Sequence, residues 1–187
     1  MATIVLTREQ IVEEALVLLR EGGLEAVSLR KIAARLGVKA PSLYWHVESK
    51  EALHTLMSQT IFRSCLDAVP ECRDWRDWLR AFGIAIWRAQ RAIPDIQQLI
   101  LGGRLGESER QMVRDEIVGH LARGGLDRVI AAKAQRSVQA LATGWVTLKD
   151  RGEPIDHAPE ETFRQSLNVL IDGWAHHAAG LHMPRGR

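Results

Sequence analysis

Apolar residues recur along the chain at intervals of three and four positions, which is the spacing of one face of a helix. The first such stripe consists of Ile11, Ala15, Leu18 and Leu19. No segment alternates strictly between apolar and polar residues, and no hairpin turn separates two runs of β-branched residues. The pattern therefore predicts an all-α protein.

Capping residues and helix breakers divide this pattern into separate helices. Thr7 followed by Gln10 is typical of a capping box, in which two side chains satisfy free N–H groups at a helix start. Gly22-Gly23, Gly37 and Pro70 mark helix ends. The predicted helices begin at Thr7, Ser28 and Lys39, then at Ser49, Asp74 and Pro94, and finally at Glu107, Asp127 and Pro159.

The segment 28–47 has the features of a helix-turn-helix. Ala33 in its first helix lets another helix cross closely, and Gly37, four residues later, tolerates the positive φ of a tight turn. The next helix, Lys39–His46, has Pro41 in its first turn and is the expected recognition helix. Short three-helix units of this kind also occur as protein-interaction modules, which is the alternative interpretation.

The charge distribution favours DNA binding over protein interaction. The net charge is only +2, yet the four charged residues between positions 26 and 47 are all basic: Arg30, Lys31, Arg35 and Lys39. A short basic segment in a nearly neutral chain is typical of a compact DNA-docking surface, although a solvated basic face has the same composition.

Several side chains on this segment are suited to DNA contacts. Arg30 can read guanine through two hydrogen bonds, and Lys50, beside the helix start capped by Ser49, can bind a phosphate. The recognition helix offers polar groups for phosphates or base edges and small apolar groups for thymine methyls. These candidates are Lys39, Ala40, Pro41, Ser42, Tyr44 and His46.

Residues 41–50, Pro-Ser-Leu-Tyr-Trp-His-Val-Glu-Ser-Lys, resemble the recognition-helix signature of the TetR family of bacterial transcriptional regulators. Residues 28–37, Ser-Leu-Arg-Lys-Ile-Ala-Ala-Arg-Leu-Gly, fit the same family, and Tyr44-Trp45-His46 is most similar to its tetracycline repressor branch. The resemblance implies DNA contacts from Ser28, Arg30, Pro41, Ser42, Tyr44, Trp45, His46 and Lys50.

The roles of two positions in this segment remain open in the sequence. Ala40 stands where the tetracycline repressor branch has a base-reading glutamine, so the resemblance does not imply an operator sequence. Trp45 could contact a DNA phosphate, or it could instead pack against the first helix.

The last two predicted helices are apolar on more than one side, which indicates burial on more than one side. The resemblance implies that they form the four-helix interface of a homodimer, whereas a core within one chain is the alternative. Their main stripes are Ile130, Ala134, Val138, Leu141, Trp145 and Leu148, and Phe163, Leu167, Leu170, Ile171, Trp174 and Ala178.

The helices between positions 49 and 149 are expected to enclose an effector cavity with apolar walls and a few polar groups. Trp87 and Trp145 offer stacking surfaces and Arg104 a carboxylate partner, so the expected effector is an apolar or anionic organic molecule. The candidate residues, most of which would also suit a packed core, are Phe82, Ile86, Trp87, Gln90, Ile100, Arg104, Met112, Gln139, Thr143 and Trp145.

Other chemistry is expected to be absent. Cys65 and Cys72 fit neither a disulfide framework nor a zinc site, and we expect a reducing, cytoplasmic setting without a signal peptide or a bilayer-spanning segment. Gly102–Gly106 lacks the Lys-Ser/Thr of a phosphate loop, and His176-His177 and His182 have no acidic or cysteine partner. No metal, cofactor or enzymatic nucleophile is therefore predicted.

These expectations combine into a DNA-binding domain at 1–48 and an effector-binding and dimerisation domain at 49–187. The resemblance implies a repressor that binds a palindromic operator as a homodimer. An effector would release it by stabilising a conformer whose recognition helices are wrongly spaced for DNA. The alternatives are a small helical enzyme or a protein-interaction module that carries a helix-turn-helix-like unit.

Overall fold

The computed structural model of the protein describes residues 6–102, 107–150 and 159–181. These residues form helices and no strand, which confirms the predicted all-α class. The helices within them are α1 (Arg8–Ala26), α2 (Leu29–Leu36), α3 (Ala40–Leu43), α4 (Lys50–Asp67), α5 (Trp75–Ala92), α6 (Ile96–Gly102), α7 (Glu107–Arg123), α8 (Arg128–Asp150) and α9 (Pro159–Leu181).

Local capping chemistry sets most of the helix starts. The Thr7 N–H donates to Gln10 Oε1 at 3.0 Å and the Gln10 N–H donates to Thr7 Oγ1 at 3.2 Å, which confirms the predicted capping box. At the start of α4, Ser49 Oγ accepts the Ala52 N–H at 3.1 Å. Equivalent hydrogen bonds cap α2, α5 and α8 at Ser28, Asp74 and Asp127.

The predicted break at Gly22-Gly23 is also present. Gly22 (φ −152°, ψ 23°) and Gly23 (φ 69°, ψ −171°) leave the helical conformation inside α1. A Cβ on Gly23 would collide with the carboxylate of Asp95, which accepts the Leu24 N–H at 2.8 Å. Asp95 is itself at a positive φ of 54°. The absence of a side chain at Gly23 therefore makes room for this hydrogen bond.

The described residues divide into two compact units, and the first contains 6–64 and 90–102. Leu53 and Met57 of α4 are fully buried, and the Ser58 hydroxyl donates to the Leu99 carbonyl of α6 at 3.3 Å. Packing therefore extends this unit beyond the predicted boundary at residue 48. The division of the chain by function at that residue stays a prediction.

The second unit contains residues 65–89, 107–150 and 159–181 of the described chain. In it, α8 packs against both α7 and α9. A Cβ on Gly83 would lie 2.9 Å from Leu167 Cδ2 and 2.9 Å from Val138 Cγ1, so Gly83 lets α5 approach α8 and α9 closely. The side chains of Val138 and Phe163 are fully buried.

Candidate nucleic-acid interface

The turn of the helix-turn-helix is built by Gly37. It adopts the left-handed conformation (φ 67°, ψ 26°), its N–H donates to the Ala34 carbonyl at 3.3 Å, and the Val38 N–H donates to the Ala33 carbonyl at 3.0 Å. This pair of hydrogen bonds is a Schellman motif, which satisfies carbonyl groups at the end of a helix and turns the chain sharply. The turn therefore directs the chain into α3 as the sequence predicts.

The recognition helix is shorter than the predicted Lys39–His46. Only Ala40–Leu43 is helical, and Lys39 makes no side-chain hydrogen bond as the N-cap. The N–H groups of His46 and Val47 both donate to the Leu43 carbonyl at 2.9 Å, so the chain leaves the helix through a tight turn at 44–46. The predicted continuation of the helix to His46 was wrong, because the His46 N–H donates to the carbonyl three residues back, which tightens the chain into a turn, and only the Val47 N–H keeps the four-residue spacing of an α-helix.

Two fully buried residues anchor this segment, and two aromatic residues project from it. Leu43 is 0% and Val47 1% exposed, whereas Tyr44 is 56% and Trp45 89% exposed. The alternative in which Trp45 packs against the first helix is therefore wrong for this chain. An indole so exposed next to a basic segment is available for a ligand or partner.

The other predicted DNA contacts also lie at the surface. Four of them are exposed to solvent, namely Arg30, Lys39, Pro41 and Lys50. Ala40 and His46 are half-buried, as are Ser28 and Ser42, whose hydroxyl groups have local partners. Ser28 Oγ accepts the Lys31 N–H at 3.3 Å, and the Ser42 hydroxyl donates to the Lys39 carbonyl at 2.6 Å.

The basic face is smaller than the sequence indicates, because Arg35 turns towards α1. Its guanidinium forms salt bridges with Glu14 and, at 2.6 Å, with Glu21. Arg30, Lys31 and Lys39 form no ion pair within the described part of the chain. These three cations, rather than the four of the sequence, are available to an anionic partner.

Acidic and histidine side chains border this face. The pKa of Glu9 is lowered by hydrogen bonds from its own backbone N–H and the Thr7 side chain, with smaller contributions from Arg8 and His46. The pKa of Glu51 is lowered by hydrogen bonds from its own backbone N–H and the Ser49 side chain. Both carboxylates are therefore charged at neutral pH and lie at the border of the basic surface formed by α2 and α3.

The predicted effector residues of the second unit are only partly brought together. Trp87 stacks on Phe163 with ring centroids 4.9 Å apart and an interplanar angle of 5°, and Trp145 meets the edge of Phe163 at 6.2 Å. Phe163, whose only signal in the sequence is its place on the apolar stripe of α9, thus links the two predicted stacking residues. Phe82 and Ile86 are buried on α5, and Phe82 stacks on Trp78 at 5.0 Å.

The polar candidates are dispersed. Gln139 and Thr143 are half-buried on α8, and Gln139 Oε1 accepts a hydrogen bond at 3.0 Å from Gln135, which the sequence analysis did not single out. Met112 is 71% exposed, so the described residues do not enclose its side chain. Gln90 is buried in the first unit, while Arg104 and the side chain of Ile100 lie outside the described residues.

Metal-ligand clusters and membrane spans were also sought in residues 6–102, 107–150 and 159–181. No group of three or more His, Cys, Asp and Glu side chains is arranged there to hold a metal ion. No helix in those ranges is both long and apolar enough to cross a bilayer. Burial raises the pKa of Cys65 to about 11, so its thiol is protonated at neutral pH. His176 and His177 are exposed, and His182 lies outside the described ranges.

The segment that contains the helix-turn-helix is similar to known regulatory proteins. The family model for bacterial regulatory proteins of the tetR family matches residues 11–55. The tetracycline repressor protein class D of Escherichia coli is 32% identical over 114 residues, which are 60% of this chain and 52% of the repressor. The chain thus matches about half the length of that curated relative.

Two solved structures are similar over nearly the whole chain. A TetR-family transcriptional regulator from Streptomyces coelicolor is 33% identical, with a TM-score of 0.64, over 92% of this chain and 99% of the regulator. A TetR variant from Acinetobacter baumannii AYE in complex with minocycline is 26% identical, with a TM-score of 0.73, over 92% of this chain and 98% of the variant.

Proposed function

Because the chain belongs to the TetR family of bacterial regulatory proteins, we propose that it is a DNA-binding transcription regulator that acts as a repressor. One observation carries the proposal. The helix-turn-helix holds Leu43 and Val47 in its core and presents Tyr44 and Trp45 to solvent beside cations that form no ion pair. A surface of this kind suits the major groove and its phosphates.

The contacts divide by chemistry into base reading and phosphate binding. Arg30 is exposed at the start of α2, and its planar guanidinium can donate two hydrogen bonds to guanine. Lys50 is exposed in the first turn of α4, where the positive end of the helix dipole favours an anion. Tyr44, Trp45 and His46 would lie against the DNA backbone or base edges.

A homodimer would place two such surfaces on a palindromic operator. Half of the residues in the apolar stripes of α8 and α9 are buried within the chain, whereas Leu148 is 39% exposed and Val169, which lies off the stripe of α9, is 74% exposed. A Cβ on Gly144 or Gly173 would meet no atom of the described residues within 4 Å, so there is free space beside these two positions. Helices with small and apolar residues on their free faces suit a four-helix interface between two chains.

The direct test is fluorescence anisotropy with DNA from upstream of the protein's own gene and a random duplex of equal length. We expect preferential binding of the upstream fragment and, by sedimentation, two chains per operator, with recognition helices about 34–36 Å apart. Tight binding of a half-site by a monomer would refute the dimeric arrangement. Equal affinity for both duplexes would refute sequence-specific regulation.

Two substitutions separate the proposed roles of the contacts. Arg30→Ala is expected to weaken binding to the upstream fragment by about 1–3 kcal/mol, with little effect on the random duplex. Lys50→Ala is expected to weaken both duplexes alike and to flatten the dependence of affinity on salt. Lys133→Ala, which removes an exposed cation from α8, is the control. Identical behaviour of the Arg30 and Lys50 variants would contradict the division.

We further propose that an apolar or anionic organic effector binds in the second unit and releases the protein from DNA. The support is the aromatic group of Trp87, Phe163 and Trp145, whose faces and edges suit an organic ring. Trp87 and Phe163 are in stacked contact, so a ligand would bind beside the stack or separate it. Such a ligand shifts the population only if it binds the released conformer more tightly.

Tetracycline with magnesium is expected not to be this effector. Mg²⁺ requires hard oxygen ligands in octahedral order. The segment 99–104, Leu-Ile-Leu-Gly-Gly-Arg, which matches the metal-binding turn of the tetracycline repressor branch, offers no histidine or hydroxyl group and adds a cation. Titration of the drug and magnesium into the protein, followed by tryptophan fluorescence, should show no saturable binding. Micromolar binding that also releases the protein from its operator would contradict this prediction.

A further inference from the structure

A side chain from α1 holds the end of the outward turn at 44–46. Arg8, in the first turn of α1, donates its Nε–H to the carbonyl oxygen of His46 at 3.2 Å. The two residues are 38 positions apart, so the contact exists only in the folded unit. It joins the start of the first helix to the segment that presents Tyr44 and Trp45.

Arg8 supplies a donor to a turn that follows a helix of only four residues. Carbonyl groups at the C-terminal end of a helix have no partner within the helix. The N–H groups of His46 and Val47 both donate to the Leu43 carbonyl, and the guanidinium of Arg8 donates to the carbonyl of His46. Arginine side chains commonly satisfy carbonyl groups at such helix ends.

The backbone around Arg8 is held in place by local hydrogen bonds and by the packing of α1. The capping box of Thr7 and Gln10 sets the backbone on both sides of it, and Ile11 and Val12 are buried in the following residues of α1. The neighbouring carboxylate of Glu9 interacts electrostatically with both Arg8 and His46. A carboxylate at this place disfavours a DNA phosphate, which argues against a simple phosphate-binding role for Arg8.

From this geometry we infer that Arg8 is a positioning residue for sequence-specific DNA binding, acting through the His46 carbonyl on the orientation of the turn at 44–46. The inference rests on the proposed function. A lysine would keep the charge, but it lacks the Nε–H of the guanidinium that makes this contact.

The experiment compares Arg8→Ala and Arg8→Lys with Arg20→Ala, which removes an exposed arginine from the same helix. In anisotropy titrations, Arg8→Ala and Arg8→Lys should each lose roughly three- to tenfold in affinity for the upstream fragment, as expected for one hydrogen bond. Affinity for the random duplex and the salt dependence should not change. Arg20→Ala should match the wild type on both duplexes.

A second measurement needs no DNA. Amide hydrogen exchange of the free protein should become faster at residues 43–47 in Arg8→Ala, with unchanged exchange in the rest of α1, and should stay unchanged in Arg20→Ala. Unchanged exchange at 43–47 in Arg8→Ala would overturn the inference whatever the DNA result.

Two further outcomes would also overturn it. Equal losses on the specific and random duplexes with a shallower salt dependence would make Arg8 a phosphate contact, and full affinity of Arg8→Ala would leave it without a role. If the wild type bound no DNA specifically, the proposed function would fail. Faster exchange at 43–47 in Arg8→Ala would then show that the hydrogen bond orders the turn without serving DNA recognition, which also overturns the inference.

Discussion

Phe163→Ala is expected to lower the free energy of unfolding by about 3–5 kcal/mol, the range for removing a buried aromatic ring from a core. Phe163 is fully buried, stacks on Trp87 and meets the edge of Trp145, so the substitution removes ring contacts as well as buried area. The space it leaves is lined by rings that cannot collapse without moving α5 or α8.

Urea denaturation followed by circular dichroism measures this effect. Protein concentration must be held constant, because the apparent stability of the proposed dimer would depend on it. Val129→Ala, at a position 62% exposed on α8, is the control and should change the free energy of unfolding by less than about 0.5 kcal/mol. A loss below about 1 kcal/mol for Phe163→Ala would mean that the ring does not lie in the core of the second unit.

Gly23→Ala is expected to cost about 3–5 kcal/mol in the first unit, from two sources. The conformation of Gly23 (φ 69°, ψ −171°) is almost restricted to glycine and costs about 1–3 kcal/mol for other residues. The added Cβ also displaces the Asp95 carboxylate, and with it a hydrogen bond to the Leu24 N–H that contributes roughly 1.5–3 kcal/mol.

Gly37→Ala is a partial control, because Gly37 also has a positive φ (67°) but lies in the left-handed helical region (ψ 26°), and a Cβ there would meet no atom of the described residues within 4 Å. Its expected cost is only about 1–2 kcal/mol. In an Asp95→Ala background the cost of Gly23→Ala should fall, since the displaced carboxylate is already gone. Equal costs of Gly23→Ala and Gly37→Ala, or no coupling between Gly23 and Asp95, would show that the carboxylate does not occupy this place.

Local chemistry could be predicted well from the sequence, and long-range pairing could not. The capping box at Thr7 and Gln10 and the break at Gly37 involve residues within a few positions of one another, so their side chains and backbone suffice to specify them. The salt bridge between Arg35 and Glu21 joins two helices, and the hydrogen bond between Leu24 and Asp95 joins α1 to the turn before α6. Such contacts depend on how the helices pack.

The candidate effector residues show the same limit. Hydrophobicity predicted that Phe82 and Trp87 are buried, and they are. It could not predict that Met112 is exposed, because an apolar residue on a helix is buried only where another element covers its face. Nor could it indicate that Phe163 bridges Trp87 and Trp145, since that arrangement combines α5, α8 and α9.

The shortness of α3 limits how much sequence information one chain can extract from DNA. Four helical residues rise about 6 Å, which is less than two base-pair steps of about 3.4 Å each. Even if Arg30 of α2 and the turn at 44–46 also contact bases, as proposed, one chain spans only a few base pairs, while a bacterial genome offers on the order of a million or more competing positions. In the proposed dimer, selectivity would then come from using the same surface twice at a fixed spacing and from the deformability of the DNA between the two sites. Spacer length and flexibility would therefore determine operator choice as strongly as the contacted bases.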